Sequence, residues 1–224
     1  MRAKSSLPLE GPGPGPGSDH PPTRADRRRA LLGLWRASAV CVLLTAEALA
    51  QSPIAPGADA PAWSNLVGTD DGKHSLKDLS AAKVVVVVFT CNSCPFSVDY
   101  EDRLVAFARE YASKGVELVA INVNREEEDS LPKMKERAAA RGFPFPYLHD
   151  PSQEIGKAYG AKVTPHVFIL DGDRKVAYVG AFDNARKKEK VTRTYVKDAV
   201  EALLAGKTPA PAKTNAAGCS IRYE

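Results

Sequence analysis

The chain is 224 residues long with 31 Lys and Arg against 27 Asp and Glu, and this small positive excess is unevenly placed. Seven of the basic and four of the acidic residues precede Gln51, so residues 51–224 carry 24 against 23, a balance that excludes a nucleic-acid or anionic-membrane partner held by bulk charge. With Cys41 set aside in the N-terminal segment, three cysteines remain, too few and too odd in number for a disulfide-stapled scaffold.

Residues 1–50 read as an export signal behind a disordered leader. Gly11 to Gly17 alternates Gly and Pro and can join neither a helix nor a sheet ladder. Arg27-Arg28-Arg29 and Arg36 then precede the apolar stretch Ala37 to Ala46, and Ala48-Leu49-Ala50 is a small-x-small cleavage signature before Gln51. The apolar stretch falls short of the ~20 residues of a membrane span, which disfavours an uncleaved anchor. Residues 51–62 read as a Pro- and Ala-rich linker, 63–206 as a single domain, and 207–224 as a mobile or loosely docked tail carrying Cys219.

Within the domain, Ser64 to Leu79 alternates weakly around Asp70-Asp71-Gly72-Lys73, the pattern of a small hairpin. Val84 to Phe89 is an unbroken β-branched run, expected for a strand buried on both faces. Cys91-Asn92-Ser93-Cys94-Pro95 follows at once. Beyond it Tyr100, Leu104, Phe107 and Tyr111 fall at helical spacing up to Gly115, and Val116 to Val123 reads as a second buried strand. Ser130 is placed to cap a charged helix from Leu131 to Arg141 that Gly142 stops. Phe145 to Leu148 reads as a short strand and Glu154 to Tyr159 as a short helix. Val163 to Leu170 reads as a strand that opens with a proline, Lys175 to Gly180 as its hairpin partner, and Val196 to Leu204 as a closing helix.

The strand–dithiol–helix junction is the chemical signal. Backbone N–H groups at the helix start are expected to point at the first thiol and favour its anionic form, and the thiolate is the nucleophile of disulfide exchange. Two intervening residues let one cysteine reach the other and release a mixed disulfide. From the residues alone the first thiol, Cys91, is the expected nucleophile and Cys94 the resolving thiol, with a permanent structural disulfide as the alternative.

The chain resembles the thioredoxin superfamily, in particular the exported bacterial redoxins grouped with the alkyl hydroperoxide reductase/thiol-specific antioxidant (AhpC/TSA) proteins. The likeness is carried by Thr90 to Pro95, Tyr100-Glu101-Asp102-Arg103-Leu104, Gly142 to Leu148, Val163-Thr164-Pro165 and Gly218-Cys219-Ser220-Ile221. It implies an α/β thioredoxin-like fold, a central mixed sheet flanked by helices, here with an added N-terminal hairpin and a C-terminal tail. It implies Pro165 as a cis-proline facing the dithiol, with Thr164 offering backbone groups to a bound partner chain; a trans proline at an edge-strand start is the alternative. Two departures stand out. The peroxidase pattern Pro-x-x-x-Thr-x-x-Cys is absent, since Val84 and Val88 occupy its positions before Cys91, and Val87 and Cys91 before Cys94. Thr90 also stands where ordinary thioredoxins place Trp.

These readings converge on an exported thiol:disulfide oxidoreductase that needs no bound cofactor or metal and exchanges electrons with protein or small-molecule disulfides and a redox partner protein. A thiol peroxidase is the rival enzyme. A copper- or zinc-binding module built on Cys91, Cys94 and either His166 or Cys219 is the rival of another class. Among the remaining residues, Asp99, Glu101 and Asp102 read as a solvated helix face, and Glu126-Glu127-Glu128-Asp129 as loop and helix-start charge. His166 reads equally as near the sulfurs or pointing away.

Overall fold

The computed structural model describes residues 53–224, so the expected export signal lies outside the described residues. In chain order, β1 (Leu66–Gly68) and β2 (Lys73–His74) form the expected hairpin, and β3 (Val84–Phe89) leads through the dithiol into helix α1 (Pro95–Tyr111). There follow β4 (Val116–Asn122), α2 (Leu131–Arg141), β5 (Tyr147–His149), α3 (Glu154–Tyr159), β6 (Val163–Thr164), β7 (His166–Leu170), β8 (Val176–Gly180), α4 (Tyr195–Leu204) and β9 (Cys219–Ser220). Seven strands make one mixed sheet in the order β2-β1-β5-β4-β3-β7-β8. At its centre β3 runs parallel to β4 and antiparallel to β7.

The valine run explains this centre. Side chains alternate across a strand, so Val84, Val86 and Val88 enter one layer and Val85, Val87 and Phe89 the other. The first layer holds Leu104 and Phe107 of α1, Met134 of α2 and Val200 of α4; the second holds Trp63, Tyr159, Phe168 and Ile221. All five valines are at most 1% exposed, and each contributes about 1.5 kcal/mol or more by leaving water. A polar side chain in this run would unsettle both layers at once.

Three expectations are corrected. The strand expected from Val163 to Leu170 divides at Pro165, which has no N–H to give a ladder: β7 stays in the main sheet while β6 leaves it and pairs with β9. The described part of the expected linker is not a spacer. Gly57 N and Ala60 N donate to Val176 O and Arg174 O, Val176 N donates to Ala58 O, and Ile54 packs on the core. The tail is docked on the domain at several points. Val179 N donates to Ala212 O and Thr214 N to Val179 O, which carries the tail along the free edge of β8, and Ile221 is buried against the second layer. Beyond it Gln153 bonds Arg222 O and Glu224 N, and the Tyr223 hydroxyl donates to Ala161 O. These partners are backbone groups and a glutamine spread along the chain, which no local pattern in a Pro/Ala-rich segment announces.

Candidate active site

The strand β3 ends in the second thiol's favour. Cys94, not Cys91, is the N-cap of α1, with Pro95 at the first helical position, where a missing N–H costs nothing. The expectation that the helix start faces the first thiol is therefore corrected: Ser97 N donates to Cys94 Sγ at 3.5 Å. The reason is the proline. It fixes the first helical residue at position 95, and the cap falls one residue before it.

Thr164 stands against both sulfurs. Its hydroxyl lies 3.3 Å from Cys91 Sγ, and its carbonyl accepts from the Cys94 thiol at 3.1 Å. The peptide joining Thr164 to Pro165 is cis, as the resemblance implies. The third thiol, Cys219, arrives on β9, and its sulfur is 2.6 Å from Cys94 Sγ. All three are free thiols in this structure. Cys91 and Cys94 are each 2% exposed, whereas Cys219 is half-buried. A groove of about 660 Å³ opens on Cys94 and Cys219, and Cys91 is not part of its wall.

The hydrogen bonds sort the thiols electrostatically. As a thiolate, Cys94 is ringed by donors: foremost the Cys91 thiol, then the Cys219 thiol, the Thr164 side chain and the Ser97 N–H. Together they outweigh burial and push the Cys94 thiol below its ordinary value. Cys91 moves up, because its proton serves Cys94, because it is buried, and because it faces the Asp129 carboxylate. Cys219 also moves up, through burial and then its bond to Cys94.

Asp129 is the residue that sequence reasoning placed wrongly. It is fully buried, and its Oδ1 accepts from Asn92 N at 2.6 Å, Ser93 N at 3.2 Å and Asn122 Nδ2 at 3.2 Å. Its Oδ2 accepts from Ser93 Oγ at 2.6 Å. Asn92 is further tied through its side chain to Glu128 O and the Tyr147 hydroxyl. The dithiol loop is therefore clamped onto one carboxylate. An acidic run of four residues hides which member turns inward; the turn signal of Ser130 just after Asp129 is the nearest hint.

Glu101 is likewise not on a solvated face. It is buried and paired with Arg137 and Arg141 of α2, while Arg103, one turn from the dithiol side of α1, is buried against Asp183 at 2.6 Å. His166 packs its ring on Phe168 and accepts from Lys162 N. Burial brings it down to about 4, and it is not among the hydrogen-bond partners of the three sulfurs. Among the described residues no group of three or more His, Cys, Asp or Glu is arranged to hold a metal ion. Nor is any described helix long and apolar enough to cross a membrane.

With this geometry established, similarity adds a family. The Redoxin family profile matches residues 55–196. Among solved structures, hypothetical protein SMc02350 from Sinorhizobium meliloti 1021 is 34% identical with a TM-score of 0.73, covering 77% of this chain and 97% of that one. "Thiol-disulfide oxidoreductase ResA" of Geobacillus thermodenitrificans is 29% identical over 130 residues, 56% of this chain and 69% of its own length. "Putative peroxiredoxin MT2597" of Mycobacterium tuberculosis is 27% identical over 139 residues, 55% of this chain and 82% of its own length. The fold is thioredoxin-like, with the dithiol at the end of its central strand.

Proposed function

The chain belongs to the Redoxin family, and from that premise we propose that it is a thiol:disulfide oxidoreductase working through Cys91 and Cys94, with Cys94 as the attacking thiolate. The observation that carries this is the place of Cys94 at the cap of α1, where Ser97 N donates to its sulfur and the groove opens on it. In the reaction, Cys94 Sγ⁻ attacks one sulfur of a substrate disulfide and expels the other as a thiolate, leaving a mixed disulfide on Cys94. A neighbouring thiol then attacks Cys94 Sγ, forms an internal disulfide and releases the second substrate thiol. Thr164 lies against both sulfurs and positions them. No cofactor enters this cycle; electrons return from an external thiol or partner protein.

The test is reduction of insulin or a small disulfide by the full chain with dithiothreitol. Cys94→Ser is expected to abolish turnover, and Cys91→Ser to keep the first attack while slowing turnover. Full multiple-turnover activity in Cys94→Ser would overturn the assignment. A thiol peroxidase is the second reading, favoured by the peroxiredoxin-named relative, although the peroxide-binding Thr position before Cys94 is held by Cys91. Peroxide consumption by Cys94 faster than by a free thiol would select it. Export also belongs to the proposal, on the basic, apolar, Ala-x-Ala succession ending at Ala50. N-terminal sequencing of the native protein should start at or near Gln51, and a start upstream of Arg36 would contradict it.

A further inference from the structure

The C-terminal strand fills the place where an extended chain would lie beside the dithiol. We propose that this tail sets the substrate class: with residues 218–221 seated on β6, the site admits small polar disulfides and excludes the disulfides of folded proteins. The proposal rests on the reading of the chain as a thiol:disulfide oxidoreductase, and it holds whichever of Cys91 and Cys94 attacks first.

Three features support it. First, the backbone edge beside the sulfurs is taken. Thr164 stands against both sulfurs, and β6 has left the main sheet to pair with β9, Val163 opposite Ser220 and Thr164 opposite Cys219. A protein segment that docks by adding a strand needs that row of N–H and C=O groups, and the chain's own tail occupies it. The approach is so close that a Cβ on Gly218 would lie 2.0 Å from Thr164 O, so only glycine seats there.

Second, the tail is pinned on both sides of this strand. Upstream, Thr214 N donates to Val179 O and the Thr214 hydroxyl accepts from Ala181 N. Downstream, Ile221 is buried with its N–H on Lys162 O, and the Tyr223 hydroxyl donates to Ala161 O. A segment held at both ends does not fray as a free terminus does. Third, the opening that remains is small and polar. Cys91 and Cys94 are almost fully buried, so a disulfide carried on folded backbone has no approach to them. The way in is the groove of about 660 Å³, the size of a small-molecule site, with Arg125 and Arg222 set among Glu126, Glu127 and Glu128 in its wall. The exchange balances: R–S–S–R and the two protein thiols give the Cys91–Cys94 disulfide and two R–SH.

The experiment follows the reduced full chain with insulin and with bis(2-hydroxyethyl) disulfide. Acid quenching and peptide mapping read the Cys91–Cys94 bond, and each rate is divided by that of dithiothreitol with the same disulfide. The expected result is a normalised rate with insulin at least tenfold below that with the small disulfide, a readout that needs no variant. Gly218→Ala and Ile221→Ala unseat the strand in two different ways, by a clash and by loss of a buried anchor, and alkylation of Cys219 reports its release. In each, the insulin rate should rise at least tenfold while the small-disulfide rate stays within threefold of the parent's. An unaltered chain that takes insulin as readily as the small disulfide overturns the proposal. So does a variant with Cys219 freed and no gain with insulin, and so does Cys219 still shielded in both variants. No reaction with either disulfide in the unaltered chain overturns the oxidoreductase reading itself.

Discussion

The clamp on the dithiol loop gives the sharpest stability prediction. Asp129→Asn keeps the side chain's shape and its Oδ1, so Asn92 N, Ser93 N and Asn122 Nδ2 retain an acceptor, but an uncharged one. Hydrogen bonds to a charged group contribute ~1.5–3 kcal/mol each and neutral ones ~0.5–1.5, so each of the three weakens by about 1 kcal/mol. The bond from Ser93 survives with its polarity reversed, the new amide donating to the hydroxyl. Relief of the carboxylate's own desolvation offsets part of the loss, and a net cost of about 2 kcal/mol is expected. For a domain of this size that lowers Tm by about 4–8 °C. The same change removes the negative charge facing Cys91, so the Cys91 thiol should ionise at lower pH than in the parent. Calorimetry of the reduced protein and pH-dependent alkylation, read by peptide mapping, follow the two effects together. An unchanged Tm with an unchanged Cys91 profile would refute the clamp.

Other outcomes follow from the same contacts. Cys94 is held below its ordinary value in the fold, so below the unfolded value the reduced fold has shed a proton that the unfolded chain keeps, and its stability should rise with pH. Cys91, raised in the fold, turns the slope downward above 9.0. Denaturant midpoints of the reduced protein minus those of Cys94→Ser should widen from pH 4 to pH 8, and a flat difference would contradict the thiolate. Arg103→Met leaves Asp183 buried without its cation and strips the bonds to the carbonyls of Ala185 and Arg186, so a loss of about 3–5 kcal/mol is expected by urea titration, and less than 1 would not fit. Ile221→Ala should cost about 2 kcal/mol and free the tail, read as faster alkylation of Cys219; an unchanged rate would mean that another contact seats the strand.

The sheet was legible because its signals are local. The Val84 to Phe89 run declares a strand with two buried faces by composition alone, and Gly142 and Gly115 stop elements where a left-handed residue is needed. The dithiol was legible for the same reason, whereas the cis peptide at Thr164-Pro165 was implied by the family resemblance. What was not legible depends on partners far apart in sequence. The Asp129 side chain is set apart from those of Glu126, Glu127 and Glu128 by its bonds to residues 92 and 93, about 36 positions away. Cys219 meets Cys94 across 125 positions, and its strand is two residues long. Which cysteine caps the helix was decided by Pro95, a local signal whose meaning for the second thiol was open to reading from the sequence.

The central claim is that the reduced site holds its thiolate on Cys94. Brief treatment of the reduced full chain with substoichiometric iodoacetamide at pH 6, followed by peptide mapping, tests it directly. The account predicts alkylation at Cys94 with Cys91 and Cys219 unmodified, and a rate that persists below the pH at which an ordinary thiol loses its reactivity. Label appearing first on Cys91, or a rate that climbs with pH as for an ordinary thiol, would contradict it.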